Sequence, residues 1–107
     1  MWSFVDLTPI VEKEVEALPE DLQADLVRMA ELICGKGLDR VGMPYVRHLR
    51  GPIWEIRIKG RSGIGRALYA TMVGKQIVIL RIFVKKTEKT PPKEIELAMS
   101  RWKAMQL

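Results

Sequence analysis

Residues 53–84 read IWEIRIKGRSGIGRALYATMVGKQIVILRIFV, and this stretch decides the fold. Trp54, Ile56 and Ile58 alternate with Glu55, Arg57 and Lys59 from Ile53 onward. A period of two with one apolar and one charged side describes a half-buried strand. The run from Gly60 to Gly65 supplies glycines that turn the chain back, and Arg66 to Val73 forms a second strand. Gly74-Lys75 makes a tight turn into a third strand, Gln76 to Val84, which is apolar almost throughout except at Arg81. Such a run belongs to a central strand covered by helices. Three antiparallel strands joined by short turns are therefore expected.

On the N-terminal side, a short strand is expected near Ser3 to Leu7. Thr8 can cap a helix with Pro9 at its first position, and Glu12, Glu14 and Glu16 then occupy early turns, where the helix dipole favours anions. Pro19 ends this helix and begins the next. Leu22, Leu26, Met29 and Ile33 recur at helical spacing up to Gly35 or Gly37. The two helices form a hairpin with one apolar face and outward acids. From Leu38 to Pro52 the glycines and prolines predict a loop. After Pro91 and Pro92, the positions Ile95, Ala98, Met99, Trp102 and Met105 fall on one side of a last helix. The order is an α+β layer, with the helices expected on one face of the sheet. No repeat or linker interrupts it, so residues 1–107 form a single domain.

The 107 residues carry a formal charge of +5, with Lys+Arg 18 against Asp+Glu 13. That figure hides an asymmetry: positions 1–34 hold eight acids and two bases, a net −6, so the remainder carries +11. A field of the second kind gathers polyanions. A hydrophobic fraction of 48% excludes disorder, and no run of about 20 apolar residues suits a membrane. The single Cys34 and single His48 exclude a disulfide scaffold and a zinc site. Nothing in Met1 to Asp6 marks a secretory signal, so the cytoplasm is the expected location.

The segment Gly60-Arg61-Ser62-Gly63-Ile64-Gly65-Arg66 has neither nucleotide-loop spacing nor a following helix, so it reads as a hairpin turn. Ser62 has no base arranged to activate it. The charged strand side carries more information. Arg57 and Lys59 lie on one side of the first strand, Arg66 opens its partner, and Lys85-Lys86 follow the third. Converging there, these cations would bind phosphates and stabilise a phosphodiester transition state, unless they serve only solubility. Arg81 reads either as a partner for Glu55 across the sheet or as a substrate ligand. Trp54 and Phe83 read as core, leaving Tyr69 as the aromatic ring available to a base. Arg47, His48 and Arg50 add loop residues of an RNA-binding surface that includes Lys59, Arg61 and Lys86.

Trp54-Glu55-Ile56-Arg57, Gly63 to Tyr69, Phe83-Val84-Lys85-Lys86-Thr87-Glu88-Lys89-Thr90-Pro91 and Glu94 to Ala98 resemble the phage-derived HigB-type branch of the RelE/ParE toxin superfamily. The similarity extends to Leu18-Pro19 and Gly51 and so covers nearly the whole chain. It implies a RelE-like fold and metal-independent cleavage of messenger RNA, in many members on the ribosome, restrained by a helix-turn-helix antitoxin. In this family the RNA 2′-hydroxyl attacks its adjacent phosphate, so the protein must align the backbone and stabilise charge. By position, Arg57, Arg66 and Lys85 or Lys86 match the family's basic residues, with Tyr69 near them. Glu55 stands where some RelE members carry lysine, which leaves Glu55 or a lysine of lowered pKa as the general base. The superfamily also contains ParE-like gyrase inhibitors, so inhibition without cleavage is the alternative reading, and RNA binding without cleavage a third.

Overall fold

A computed structural model describes residues 1–106. The elements in chain order are β1 (Ser3–Phe4), α1 (Pro9–Glu16), α2 (Glu20–Lys36), α3 (Leu38–Val41), β2 (Val46–Arg50), β3 (Ile53–Gly60), β4 (Gly63–Met72), β5 (Gln76–Val84) and α4 (Pro92–Met105). The α+β class and the expected helices hold. The sheet is larger than the three antiparallel strands expected: with the short N-terminal strand, also expected, and a further edge strand, five run in the order β1-β5-β4-β3-β2, antiparallel except for β1, which is parallel to β5. The segment from Leu38 to Pro52, expected as a loop, contains the four-residue helix α3 and β2, an edge strand whose Arg47, His48 and Arg50 are exposed and whose apolar pattern is correspondingly faint. No helix is long and apolar enough to cross a membrane among the described residues.

Local chemistry explains the helix ends. Thr8 accepts the Val11 N–H, with Pro9 in the first turn of α1. Gly37 ends α2 at φ +95°, a conformation that costs glycine little. The buried Leu22, Leu26, Met29 and Ile33 of α2 join Val11, Ile56, Ile58, Ala67, Tyr69, Ile77 and Ile82 in one core. A second core of Ile53, Leu68, Ala70, Val78, Leu80 and Ala98 lies on the opposite side of the sheet under α4. The helices therefore cover both faces, not one as the sequence led us to expect. Alternating strand residues make both sides of β4 and β5 apolar, so each side requires its own helical cover.

A bulge between β4 and β5 pairs Leu68 with Arg81 but Tyr69 with Ile79. The extra residue, Leu80, lets Arg81 share a sheet face with it, which is how a charge is accommodated in an apolar strand. Arg81 bonds Glu94 of α4 at 2.8 Å and Glu14 of α1 at 2.9 Å, so Glu55 is not its partner. Glu14 also accepts the Ile82 N–H at 3.2 Å, while Arg101 donates to the Leu80 carbonyl at 2.7 Å and pairs with Glu14 at 2.8 Å. Beyond the two-residue β1, side chains thus satisfy backbone groups of β5 that would otherwise invite another strand. Glu14 is not one of the outward acids: burial raises its pKa, but the Arg101 hydrogen bond, the Ile82 amide and Arg81 outweigh that and hold it below the ordinary 4.5. Because the folded value is depressed, its stabilisation is present above pH 4.5 and is lost as pH falls through the folded pKa. Melting temperature followed through acid pH should fall less steeply for Glu14→Gln than for the parent, and equal slopes would show that Glu14 does not carry this linkage.

Candidate functional site

The site is built from one end of one sheet face. Strand alternation places Ile53, Glu55, Arg57 and Lys59 of β3 on the side that α4 covers, and Arg57 lies directly beside Arg66 of β4, which in turn lies beside Phe83 of β5. Lys85 follows Phe83 with the same alternation, its amide donating to the Ile64 carbonyl at 2.7 Å. The α4 contacts gather around Ile53, Ala70 and Val78, leaving the Arg57 end without a helix above it. There Arg57 and Lys59 are exposed and Lys85 half-buried, and none of the three forms an ion pair among the described residues.

Arg66 sits differently. Its side chain is only 6% exposed, and its guanidinium donates to Glu55 at 3.3 Å, to the Glu88 carbonyl at 2.7 Å and to the Thr90 hydroxyl. The Thr90 hydroxyl in turn donates to Glu55. Arg47 stands 3.9 Å from the other Glu55 oxygen, with half of its side chain in solvent. Glu55 is thus a buried carboxylate between two arginines, and Arg66 fastens the segment from Lys85 to Pro91 against the sheet. Against the expectation of an open Arg66 gripping phosphate and of Glu55 as a base facing substrate, both side chains are buried and bonded to each other and to Thr90. Nothing in the residue types distinguished these roles. Thr90, which completes the network, carried no signal beyond its place before Pro91.

The acids of α2 reach the same region from the other side. Asp25 accepts the Lys59 N–H at 2.8 Å and Asp21 accepts the Ser62 N–H at 2.7 Å, fixing the hairpin tip that carries Lys59 and Arg61. The Ser62 amide holds the Asp21 carboxyl below its usual range. Gly60 permits this approach, since a Cβ there would stand 2.4 Å from an Asp21 oxygen. The sequence presented these residues only as members of an acidic helix face.

Residues 13–103 match the family described as Phage derived protein Gp49-like (DUF891). Two relatives, each named Probable endoribonuclease HigB1 and from Mycobacterium tuberculosis strains CDC 1551 / Oshkosh and ATCC 25618 / H37Rv, are 32% identical over 107 residues, spanning 95% of this chain and 82% of theirs. This chain belongs to the phage-derived Gp49-like family of HigB-type toxins.

Three other residues expected at the site of this HigB-type chain lie elsewhere. Tyr69 is on the opposite face of the sheet, fully buried in the α2 core, because one step along β4 reverses the side-chain direction. Its hydroxyl has no partner, and burial pushes its pKa well above the ordinary phenol value. His48 shares that opposite face: it meets the Gly51 carbonyl at 2.8 Å and packs edge-on against Trp54, with ring centroids 4.9 Å apart. Trp54, expected in the core, is 39% exposed. Arg50 is paired with Ile53 and lies beside Met99 and Lys103 of α4, away from Arg57. Arg61 occupies the exposed hairpin tip, and Lys86 the exposed segment after β5. Tyr69→Phe should leave RNA cleavage unchanged and raise stability by about 1 kcal/mol, as an unpartnered buried hydroxyl is removed. Chemical unfolding and a cleavage assay check this, and a large loss of rate would return Tyr69 to the active site.

Proposed function

We propose that this chain is the toxin of a type II toxin–antitoxin pair and that it cleaves messenger RNA, bound to the ribosome, without a metal ion. The observation that carries this reading is the exposed Arg57, without an ion pair among the described residues, on a sheet end flanked by Lys59, Lys85 and Arg47, in a chain similar to a named endoribonuclease. In the reaction the 2′-hydroxyl gives up its proton to solvent water as its oxygen attacks the adjacent phosphorus, the bond to the 5′-oxygen breaks and that oxygen takes up a proton from water, and a 2′,3′-cyclic phosphate and a 5′-hydroxyl result. Arg57 and Lys85 stabilise the additional negative charge of the phosphorane, Arg57 through its two-pronged guanidinium. Lys59, Arg61, Lys86 and Arg47 bind flanking phosphates and set the register of the strand. Glu55, Arg66 and Thr90 are positioning residues that hold Arg47 and the Lys85 segment in place. The partner is a helix-turn-helix antitoxin that restrains the toxin, and the toxin acts in the cytoplasm.

Mapping of RNA 5′ ends after induction in cells lacking the antitoxin tests the proposal. New ends inside translated frames are expected, and they should disappear when ribosomes are cleared from the message. Intact transcripts accompanied by loss of DNA supercoiling would overturn it in favour of gyrase inhibition.

A further inference from the structure

On the sheet face opposite the cationic site, a cleft of about 470 Å³ opens between α3 and the β2–β3 edge. Trp2, Trp54, Met43 and Tyr69 are among its lining residues, and Asp39 is the one charged residue that lines it. Three aromatic rings around one cleft are uncommon in a chain with only 7% aromatic residues. Trp2 and Asp39 stand side by side over Gly37: a Cβ there would lie 3.0 Å from Asp39 Oδ1 and 3.6 Å from Trp2 Cδ1. The Asp39 carboxylate forms no ion pair or side-chain hydrogen bond among the described residues. Tyr69, fully buried, lies in the wall, and its hydroxyl is likewise without a partner. Trp54 and Met43 are 39% and 69% exposed, so the mouth of the cleft is open.

We propose that this cleft receives an arginine side chain presented by a protein partner. Indole faces attract a cation through their ring quadrupoles, and the planar guanidinium stacks on them while its N–H groups bond a carboxylate. Asp39, exposed at the cleft, provides that carboxylate. Charge complementarity selects a cation over an aliphatic side chain, for which an unpaired carboxylate would be a desolvation penalty. Because the cleft and Arg57 occupy opposite sheet faces, a partner anchored here leaves the cationic face uncovered. The inference stands independently of RNA cleavage.

The test uses the full chain, its three indole N–H signals in NMR spectra and the blocked tripeptide acetyl-Gly-Arg-Gly-amide. Trp102 packs under α4 on the other face and serves as an internal control. The Trp2 and Trp54 signals should shift saturably while Trp102 stays still. The same peptide with citrulline, the neutral isostere of arginine, should bind about tenfold more weakly or worse, and Asp39→Asn should weaken the arginine peptide to a similar degree. Asp39 is exposed and without a side-chain partner, so an unchanged Trp102 signal verifies that the variant is folded. Equal binding of the citrulline peptide would reduce the cleft to an apolar slot and overturn the proposal. Tighter binding of guanosine to the same two indoles would make it a nucleobase site and also overturn it. Absence of any saturable shift with the arginine peptide would do the same.

Discussion

Replacing Arg57 by alanine is expected to lower RNA cleavage by about 10²–10³-fold, the usual consequence of removing one preorganised donor from a charged transition state. The melting temperature should remain that of the parent, because Arg57 is exposed and forms no ion pair among the described residues. RNA affinity should fall much less than rate, since several other cations share the phosphate contacts. Lys103→Ala, on the exposed side of α4, is the control and should be nearly silent. A folded Arg57→Ala protein that cuts as fast as the parent would remove Arg57 from the reaction and with it the proposed mechanism.

Arg66→Ala should produce the largest loss of stability, about 3–5 kcal/mol, because it leaves the Glu55 carboxylate buried with its nearest cation gone. Both side chains are less than a tenth exposed, so water cannot replace the missing partner without opening the site. The Glu88 carbonyl and Thr90 lose their ties at the same time, and the segment carrying Lys85 and Lys86 should loosen. Pairing Arg66→Met with Glu55→Gln removes both charges and should recover much of the lost stability, while cleavage stays low because Lys85 is no longer held. Denaturant midpoints of the single and double variants decide the matter. Were Arg66→Ala as stable as the parent and impaired only in rate, Arg66 would be a catalytic group and the positioning role assigned to it would be wrong.

These two arginines show the limit of what residue types convey. In the sequence both are basic residues on adjacent strands with the same claim to a phosphate, and the register does make them direct neighbours. Their difference comes from the segment after β5, which folds back so that Glu88 and Thr90 enclose one and leave the other in solvent. That return path depends on contacts between residues more than twenty positions apart, which no local pattern encodes. Tyr69 fails for a simpler reason: strand alternation with β3 already puts it on the Trp54 side, opposite Arg57, and proximity in sequence to Arg66 says nothing about face.

The sequence by itself determined the three longer helices through their caps, prolines and apolar spacing, and the three longest strands through alternation and turn glycines. It also set the opposed charges of the two halves, and its motifs sufficed to place the chain among HigB-type toxins. Tertiary structure decided the rest. It added the edge strand β2 with its exposed charges, because an edge strand needs only a partner's backbone and leaves little hydrophobic periodicity behind, and it set the expected N-terminal strand parallel to β5 at the other edge. It put helices on both sides of the sheet because the two apolar faces of β4 and β5 each had to be removed from water. Finally, it separated the cations that are free from those that are held, since burial and pairing depend on which distant carboxylates and carbonyls the folded chain brings alongside them.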